Sequence, residues 1–378
     1  MKKLLVLLSL TLLALSLFAL AEEPETFTSG DFGYALLPDG TAEITKYSGN
    51  AESLDIPSAL DGYTVTSIGN YAFSNCYDLT TITIPDSVIS IGEGAFSHCG
   101  SLTAITIPDS ITSIGEDAFS HCGSLTAITI PDSITSIGED AFSYCEGLTA
   151  VTIPDSVTSI GDWAFVICDS LTAVTIPDSV TSIGANPFAL CSKLKSIYVS
   201  PDHPYLATID GVLFSKPDRR LVCYPFAFDA SEYAIPQGIE IIGDGAFSAC
   251  TGLTAVTIPD SVTSIGEGAF TNCRSLTAVV IPDSVTSIGD RAFSYCDSLT
   301  AVTIPDSVTS IGERAFAYCE SLTAVTIPDS VTSIGRNAFS NCAESLTITV
   351  GRDSYAAQYC RENGLQYAYP DALDWLKG

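Results

Sequence analysis

The sequence predicts a mainly β solenoid of about twelve 23-residue repeats. Cysteine recurs every 23 residues in two blocks, at Cys76, Cys99, Cys122, Cys145, Cys168 and Cys191, and at Cys250, Cys273, Cys296, Cys319 and Cys342. A fixed period in this range is typical of units that pack only on their neighbours. In addition, 46% of the 378 residues are hydrophobic and 16% are charged, which provides for a core and excludes a disordered acidic chain.

Each unit begins with a predicted strand. In one near-ideal copy, Leu148, Val151 and Ile153 are apolar, and Ala150 and Thr152 alternate with the last two. This alternation places one set of side chains in the core and the other set on the outer side of a sheet. The strands of successive units are therefore expected to form a sheet with a smooth outer side of Ala and Thr.

A turn and a corner are predicted to follow the strand. Pro154 ends the strand because it lacks an N–H, and Asp155 and Ser156 are expected to cap turn amides with their side-chain oxygens. Gly161 is expected to allow a tight corner. Phe165 then fills the interior, and its equivalents in the other units are expected to stack into a continuous row of aromatic rings.

The periodic pattern is interrupted at both ends and once in the middle. The predicted organisation is a signal peptide at 1–21, an N-terminal capping β-hairpin at 22–50, a first repeat block at 51–199, a hairpin insertion at 200–232, a second repeat block at 233–350, and a short helical C-terminal cap at 351–378. Caps are expected because the ends of a solenoid are otherwise open sheet edges. A structural role is the preferred interpretation of the insertion.

The first 21 residues have the features of an export signal. Lys2 and Lys3 precede an apolar run, and Ala19-Leu20-Ala21 fits a small-x-small cleavage site. The alternative is a retained membrane anchor, which the Ala-x-Ala ending disfavours. The mature chain is therefore expected to be secreted or associated with the cell surface, without membrane insertion, and to be a monomer.

The charge is strongly negative and unevenly distributed. Lys and Arg number 15 against 44 Asp and Glu, a net charge of -29, or -31 without Lys2 and Lys3. Such a balance excludes a nucleic-acid binder that follows phosphates. Residues 47–192 contain 17 acidic side chains and no Lys or Arg, whereas eleven of the 13 remaining basic residues lie between 193 and 361. Two interpretations stay open: a solvated surface whose self-repulsion is relieved in one half, or an amino half that tolerates cations and a carboxyl half that recognises anions or carboxylates.

The repeated motif resembles the BspA-type leucine-rich repeats of secreted and surface bacterial proteins. The resemblance rests on Leu-Thr-x-[Ile/Val]-x-Ile-Pro-x-Ser-Val-x-x-Ile-Gly-x-x-Ala-Phe-x-x-Cys, which recurs from about residue 51 to 350. It implies a leucine-rich-repeat solenoid. It also implies adhesion to host matrix proteins, to other bacteria or to surface glycans.

The cysteines in register are expected to be buried thiols rather than disulfides. Stacked strands lie ~4.8 Å apart, and parallel side chains keep their Cβ atoms near that separation, beyond the ~3.8 Å of a disulfide. A row of small hydrophobic thiols is the better interpretation. Cys223 and Cys360 lie outside this row, and the spacing does not predict their redox state.

Two patterns in the sequence resemble metal sites. His98-Cys99 and His121-Cys122 resemble a zinc ligand set, but adjacent residues point in different directions, which favours a variable surface column. Carboxylates one repeat apart are weak candidates for calcium, namely Asp86, Asp109, Asp132, Asp155 and Asp178. Turn capping explains each Asp singly, so no metal and no cofactor is predicted.

The sequence contains no readable nucleophile–base arrangement and no phosphate-binding loop, and an enzyme is not expected. The predicted function is an exported binding protein whose partner is an extracellular or surface protein or glycan. Specificity is expected from irregular positions, namely Trp163, Lys216, Arg219, Arg220, Val280, Arg291, Arg314 and Arg336. The alternatives are a structural spacer or envelope component, and an accessory subunit of a secreted glycan-acting system.

Overall fold

Parallel strands stacked one per repeat form the main body of the protein. The computed structural model describes residues 25–370 and is a mainly β solenoid of about fourteen turns. The predicted signal peptide at 1–21 and the last eight residues of the predicted C-terminal cap lie outside the described residues.

The longer row of strands carries the alternating pattern. Its members are β4 (Ser53–Asp55), β7 (Thr81–Thr83), β9 (Ala104–Thr106), β11 (Ala127–Thr129), β13 (Ala150–Thr152), β15 (Ala173–Thr175), β17 (Ser196–Tyr198), β21 (Glu232–Ala234), β23 (Ala255–Thr257), β25 (Ala278–Val279), β27 (Ala301–Thr303), β29 (Ala324–Ile327), β31 (Thr347–Val350) and β32 (Tyr367–Ala368). Equivalent residues pair in parallel, as Ala127 does with Ala150 and Thr129 with Thr152. The Ala and Thr side chains are exposed, and their outer surface is called the sheet face below.

A second row of short strands forms the next side of each turn. Its members are β6 (Tyr63–Ile68), β8 (Ser90–Ile91), β10 (Ser113–Ile114), β12 (Ser136–Ile137), β14 (Ser159–Ile160), β16 (Ser182–Ile183), β20 (Arg220–Cys223), β22 (Ile241–Ile242), β24 (Ser264–Ile265), β26 (Ser287–Ile288), β28 (Ser310–Ile311) and β30 (Ser333–Ile334). The isoleucine of each regular pair is buried, so both rows contribute to one interior.

The predicted stack of phenylalanine rings is confirmed. Its members are Phe73, Phe96, Phe119, Phe142, Phe165 and Phe188, then Phe247, Phe270, Phe293, Phe316 and Phe339, all buried. Neighbouring ring centroids are 4.9 to 5.6 Å apart and the rings are close to parallel. Between the two blocks Tyr224 lies 5.1 Å from Phe247. Each ring covers the next, which removes a large apolar area from water.

The cysteines in register are free thiols, as the spacing argument predicts. They also make a contact that the sequence did not indicate: in nine of the eleven, Sγ donates to the carbonyl oxygen of the phenylalanine 26 residues earlier. The Cys250 Sγ lies 3.9 Å from the Tyr224 carbonyl oxygen instead. Cys122 donates to Phe96 over 3.3 Å and Cys145 to Phe119 over 3.3 Å. Cys223 and Cys360, which lie outside the row, are also free and buried. The thiol row therefore links successive turns by weak hydrogen bonds as well as by packing.

The turn chemistry differs from the prediction. In six of the Pro-Asp-Ser turns the serine hydroxyl donates to a carbonyl of the preceding unit instead of capping its own turn, as Ser307 does to Val285 over 2.6 Å. The Ser156 hydroxyl has no partner among the described residues. Gly161 does not have a positive φ. A β-carbon at Gly161 would lie 2.6 Å from the Gly138 carbonyl carbon, so the glycine is needed for the close approach of successive backbones rather than for a left-handed corner.

The amino-terminal cap is a three-stranded meander, one strand more than the predicted hairpin. Its strands are β1 (Thr26–Ser29), β2 (Phe32–Leu36) and β3 (Ala42–Tyr47), and a short β5 (Ala59–Leu60) pairs with β6. β3 joins β6 in parallel and thereby starts the second row. At the other end the predicted helix is α1 (Tyr355–Glu362), capped by the Ser354 hydroxyl, which accepts from the Ala357 N–H over 3.1 Å.

The insertion is also one strand wider than the predicted hairpin. β18 (Leu206–Ile209), β19 (Val212–Ser215) and β20 form an antiparallel meander, and β20 pairs in parallel with β22. β19 is buried on both sides. Leu213 packs with the first-block core, whereas Val212 and Phe214 pack with the second-block core. The insertion is therefore a two-sided partition between the two cores.

Candidate functional site: a notch beside the insertion

The insertion shortens one corner of the solenoid. Leu221 pairs with Ile242, and the Tyr224 N–H donates to the Ala246 carbonyl just as Phe247 donates to Ala269 one turn later. Two residues lie between Leu221 and Tyr224, whereas four lie between Ile242 and Phe247. The Gly-x-x-Ala corners of successive units stack in a row along the solenoid, and this row consequently has a gap at the insertion.

Two side chains of the first block reach across this gap. Trp163 has a φ of 54° and packs on Gly245: a β-carbon there would lie 2.4 Å from the Trp163 Cη2 atom. Asn186 precedes Pro187, and φ at Asn186 is not positive, in keeping with the restriction that proline imposes. Its Nδ2 donates to the Gly245 carbonyl over 2.6 Å. The tryptophan and the amide thus connect the first block to the first corner of the second.

A surface cavity of about 380 Å³ remains beside these contacts, and it is called the notch below. The lining side chains that bear on its chemistry are those of Asp162, Trp163, Asp244, Glu267 and Arg291. Gly245 and Gly268 also line the notch; the corner positions they occupy carry Asp117, Asp140, Arg291 and Arg314 in other units. The absence of side chains at these two corners leaves the notch open.

The polar groups of the notch are held by the backbone. Asp162 Oδ1 accepts from the Ala185 N–H over 2.7 Å, and Asp244 Oδ1 accepts from the Glu267 N–H over 2.7 Å. The Arg291 Nη1 atom lies 3.4 Å from Glu267 Oε1. Three carboxylates and one guanidinium therefore line the notch, which leaves it with a formal charge of −2.

Further acidic residues follow the same row of corners on the amino-terminal side. Burial raises the pKa of Asp140 to about 6, with added repulsion from Asp117 and Glu139. Burial also raises the pKa of Glu139, and the nearby carboxylates of Asp162 and Glu116 raise it further. These raised pKa values show that the carboxylates beside the notch repel one another and have, within the described part of the chain, no basic side chain close enough to offset the repulsion.

The basic residues predicted in the insertion have structural contacts. Arg220 has 19% of its side chain exposed and donates to the Ile183 carbonyl over 2.9 Å. The Lys216 ammonium donates to the His203 carbonyl. Arg219 forms an exposed ion pair with Glu240. Arg220 and Lys216 therefore stabilise the insertion, while Lys216 remains exposed. Their role in binding a partner stays a prediction.

The other predicted partner-binding residues are separated along the solenoid. Val280 is 79% exposed on the sheet face. Arg291 lines the notch. Arg314 pairs with Glu313 over 3.2 Å, and Arg336 is exposed. The structure thus brings Trp163 and Arg291 together and leaves Val280, Arg314 and Arg336 elsewhere.

The candidate metal ligands do not assemble into a site. Asp86, Asp109, Asp132, Asp155 and Asp178 are all exposed. Across residues 25–370, no group of three or more His, Cys, Asp or Glu side chains could hold a metal ion. The rings of His98 and His121 stack with centroids 4.2 Å apart, whereas the Cys99 and Cys122 thiols are buried. The His98 column is a stacked surface column, as the sequence interpretation favoured.

The sequence interpretation missed the notch itself and the residues Asp162, Asp244 and Glu267. A signal was nevertheless present. The segment Leu221–Tyr224 lacks the Gly-x-x-Ala corner, and two successive corners, at Gly245 and Gly268, carry glycine. The shortened segment and the two glycine corners create a cavity only because they lie next to each other in space. The 23-residue period does not predict which corners are neighbours across the insertion.

The family model of the BspA-type leucine-rich repeat region matches residues 43–131, 112–218 and 223–346. The chain belongs to the BspA-type leucine-rich-repeat family. Proteins of this family and fold are repeat proteins that are generally non-enzymatic, and they are typically found at the surface or secreted. A comparison with curated proteins finds no match. Among residues 25–370, no helix has the length and apolar character needed to cross a membrane.

Solved structures of bacterial repeat proteins are similar along most of the chain. A leucine-rich cell surface protein from Faecalibacterium prausnitzii is 36% identical, with a TM-score of 0.72 over 92% of this chain and 98% of that one. The pneumococcal vaccine antigen PcpA is 20% identical, with a TM-score of 0.72 over 92% and 99%. A leucine-rich repeat protein from Eubacterium ventriosum is 23% identical, with a TM-score of 0.54 over 85% and 95%. The last two share the fold.

Proposed function

We propose that the protein is an exported binding protein of the bacterial surface, without catalytic activity of its own, that recognises an extracellular protein or a surface glycan. The observation that carries this proposal is the exposed sheet face. Its Ala and Thr side chains repeat in register, while the side chains between them are buried in the core. A long, smooth surface of this kind suits an extended partner better than a small molecule.

The similarity to the cell surface protein of F. prausnitzii supports the proposed location. The inward positions are occupied by the phenylalanine and thiol rows, which leaves the outer surface for recognition. Val280, which is 79% exposed where neighbouring units carry threonine, adds an apolar contact to this face.

The experiment is a capture assay with the mature chain over immobilised matrix proteins, mucin and glycans, with calcium and with a chelator. We expect saturable capture of one class, unaffected by the chelator. The variant Thr129→Lys/Thr152→Lys places two charges on the sheet face. Its matched control, Thr112→Lys/Thr135→Lys, places two charges one unit apart at exposed positions outside the long strand row.

Loss of capture in the sheet-face variant alone supports the proposal. Unchanged capture would exclude the sheet face as the binding surface. Loss of capture in the chelator would return the carboxylates one repeat apart to consideration as a calcium site, namely Asp86, Asp109, Asp132, Asp155 and Asp178. A structural spacer is the second candidate, and the near identity of the repeats favours it. It predicts no saturable capture in either buffer.

A further inference from the structure

The notch brings an aromatic ring and carboxylates of three different corners to one place. Trp163 comes from the first block, whereas Asp244 and Glu267 come from the second, and Asp162 completes the set. We propose that the notch binds a cationic side chain, the lysine or arginine of a protein partner, against the Trp163 ring. This inference rests on the proposed binding function and selects a protein rather than a glycan as the partner.

The aromatic part of the argument concerns the position of Trp163. Tryptophan is the side chain whose ring attracts cations most strongly. The ring is fixed by its packing on Gly245, so little rotamer freedom is lost when a ligand binds. Trp163 makes no side-chain hydrogen bond to any residue of 25–370, and its ring is half-buried. It is held in place without being fully covered.

The electrostatic part concerns the carboxylates. Asp162 and Asp244 each use Oδ1 to accept a backbone N–H, and neither forms an ion pair within the described chain. Their positions are therefore set before a ligand arrives. A cation in the notch gains Coulomb attraction from both carboxylates and from the neighbouring acidic corners.

A buried amide adds to the same preference. Asn186 is 2% exposed, and its Nδ2 is occupied by the Gly245 carbonyl. Its Oδ1 has no hydrogen-bond partner among the described residues. The nitrogen end of the amide adjoins Gly245, and the unpaired Oδ1 belongs to the same planar group, so a buried acceptor without a partner lies close to this wall of the notch.

Size and charge together favour a cation over a sugar. The volume of about 380 Å³ is at the lower end of ligand sites and accommodates one side chain. A neutral sugar could donate hydroxyl hydrogen bonds to Asp162 and Asp244 but could not neutralise them, whereas a cationic side chain does both. Arg291 already pairs with Glu267 at the far wall, so it is expected to oppose a second cation.

The test uses Trp163 as its own reporter. The chain has two tryptophans, and the other, Trp375, lies outside the described residues. Trp375→Phe therefore leaves Trp163 as the one tryptophan, which is excited selectively at wavelengths beyond the absorption of tyrosine. The probe is N-acetyl-lysine methylamide, and its neutral counterpart is N-acetyl-norleucine methylamide. We expect a saturable change in Trp163 fluorescence with the lysine probe, weakened by salt, and no saturable change with the norleucine probe.

Charge variants locate the site. Asp162→Asn/Asp244→Asn keeps both backbone hydrogen bonds, because the amide oxygen still accepts, and is expected to weaken lysine binding about tenfold. Asp117→Asn/Asp140→Asn removes the same charge from corners outside the notch and is expected to weaken it less than about threefold. Arg291→Gln is expected to strengthen binding about threefold. Equal effects of the two double variants would overturn the proposal, as would a response to methyl hexosides without one to lysine.

Capture of a protein partner separates this inference from the proposed function. Trp163→Leu is compared with Tyr71→Leu, since Tyr71 occupies the same corner column and packs on Gly94 in the same way. Loss of capture in Trp163→Leu alone supports the notch. Normal capture by Trp163→Leu would overturn the proposed role of the notch and leave the proposed binding function standing. Lysine binding without capture of any partner would overturn the proposed binding function and leave the notch as a cation site.

Discussion

The six-membered ring of Trp163 lies directly on Gly245, at a distance that leaves no room for a β-carbon. The two residues are 82 positions apart in the sequence and belong to different repeat blocks. The shortened corner of the insertion lets these residues meet, and their contact closes part of the gap in the row of corners. The first prediction follows from this contact.

Gly245→Ala is expected to destabilise the protein more than Gly268→Ala. Both glycines have a left-handed φ, 58° and 54°, so each alanine incurs a similar backbone strain of about 1 kcal/mol. The nearest atom to a β-carbon at Gly268 is 3.6 Å away. The additional cost at Gly245, about 1–3 kcal/mol, comes from overpacking against Trp163.

Urea denaturation of both variants measures the difference. Combining Gly245→Ala with Trp163→Leu should recover most of the additional loss, because the smaller side chain leaves space for the methyl group. Equal losses in the two single variants would show that the ring moves aside freely.

Arg220→Met is expected to lower the free energy of unfolding by about 2 kcal/mol. The guanidinium donates to the carbonyl oxygens of Ile183 and Gly184, and methionine retains the apolar stem but leaves these acceptors without their donor. The neighbouring variant Arg219→Met removes an exposed ion pair and should change stability by less than ~0.5 kcal/mol. The denaturation midpoints of the two variants are compared. Similar midpoints would contradict the structural role assigned to Arg220.

Stability is expected to fall as the pH rises from about 4 to about 6, through Asp140. Burial and neighbouring carboxylates raise the pKa of Asp140 to about 6 in the folded state, above the value of about 4 in an unfolded chain. The folded state therefore holds more protons in this window, and its stabilisation is lost as Asp140 ionises.

Asp140→Asn should raise stability at pH 7 by about 1 kcal/mol, after allowance for solvent screening, and should have little effect at pH 4. The measurement is the denaturation midpoint at both pH values. Asp155→Asn, at an exposed position, serves as the control. A gain of the same size at both pH values would point to the left-handed backbone of residue 140 instead of its charge.

Cys76 is expected to react with iodoacetamide before Cys342, although both thiols lie at an end of the row and are partly buried. When Cys76 ionises, the Cys99 S–H, which otherwise donates to the Phe73 carbonyl, can turn to the Cys76 thiolate and thereby lowers the pKa of Cys76. Burial raises the pKa of Cys342 to about 11. Because the thiolate is the nucleophile, Cys76 should be alkylated first at pH 8.

Mass spectrometry of the alkylated chain identifies the modified residues. The interior thiols, such as Cys122 with its pKa raised to about 12 by burial, should react only after unfolding. Equal rates at Cys76 and Cys342 would contradict the assigned effect of Cys99, and removal of Cys99 by Cys99→Ala should slow the reaction of Cys76.

Local and periodic features followed from the sequence. A period of 23 residues requires equivalent side chains to stack, so the burial of Phe165 and Cys145 and the exposure of Thr152 could be predicted without coordinates. The helix at the carboxyl end was likewise indicated by local composition. These features depend on interactions between adjacent units, which the repeat specifies directly.

By itself, the sequence determined the solenoid, its two-sided strands, its aromatic and thiol rows and its family. The tertiary structure decided how the two blocks meet: that β19 divides the core, that Arg220 joins the insertion to the first block, and that Trp163 reaches Gly245 beside a notch lined by Asp162 and Asp244. The physical reason is that a non-repeating segment ends the correspondence between sequence spacing and spatial spacing. Contacts across that segment depend on the shortened path from Leu221 to Tyr224, and not on the 23-residue period.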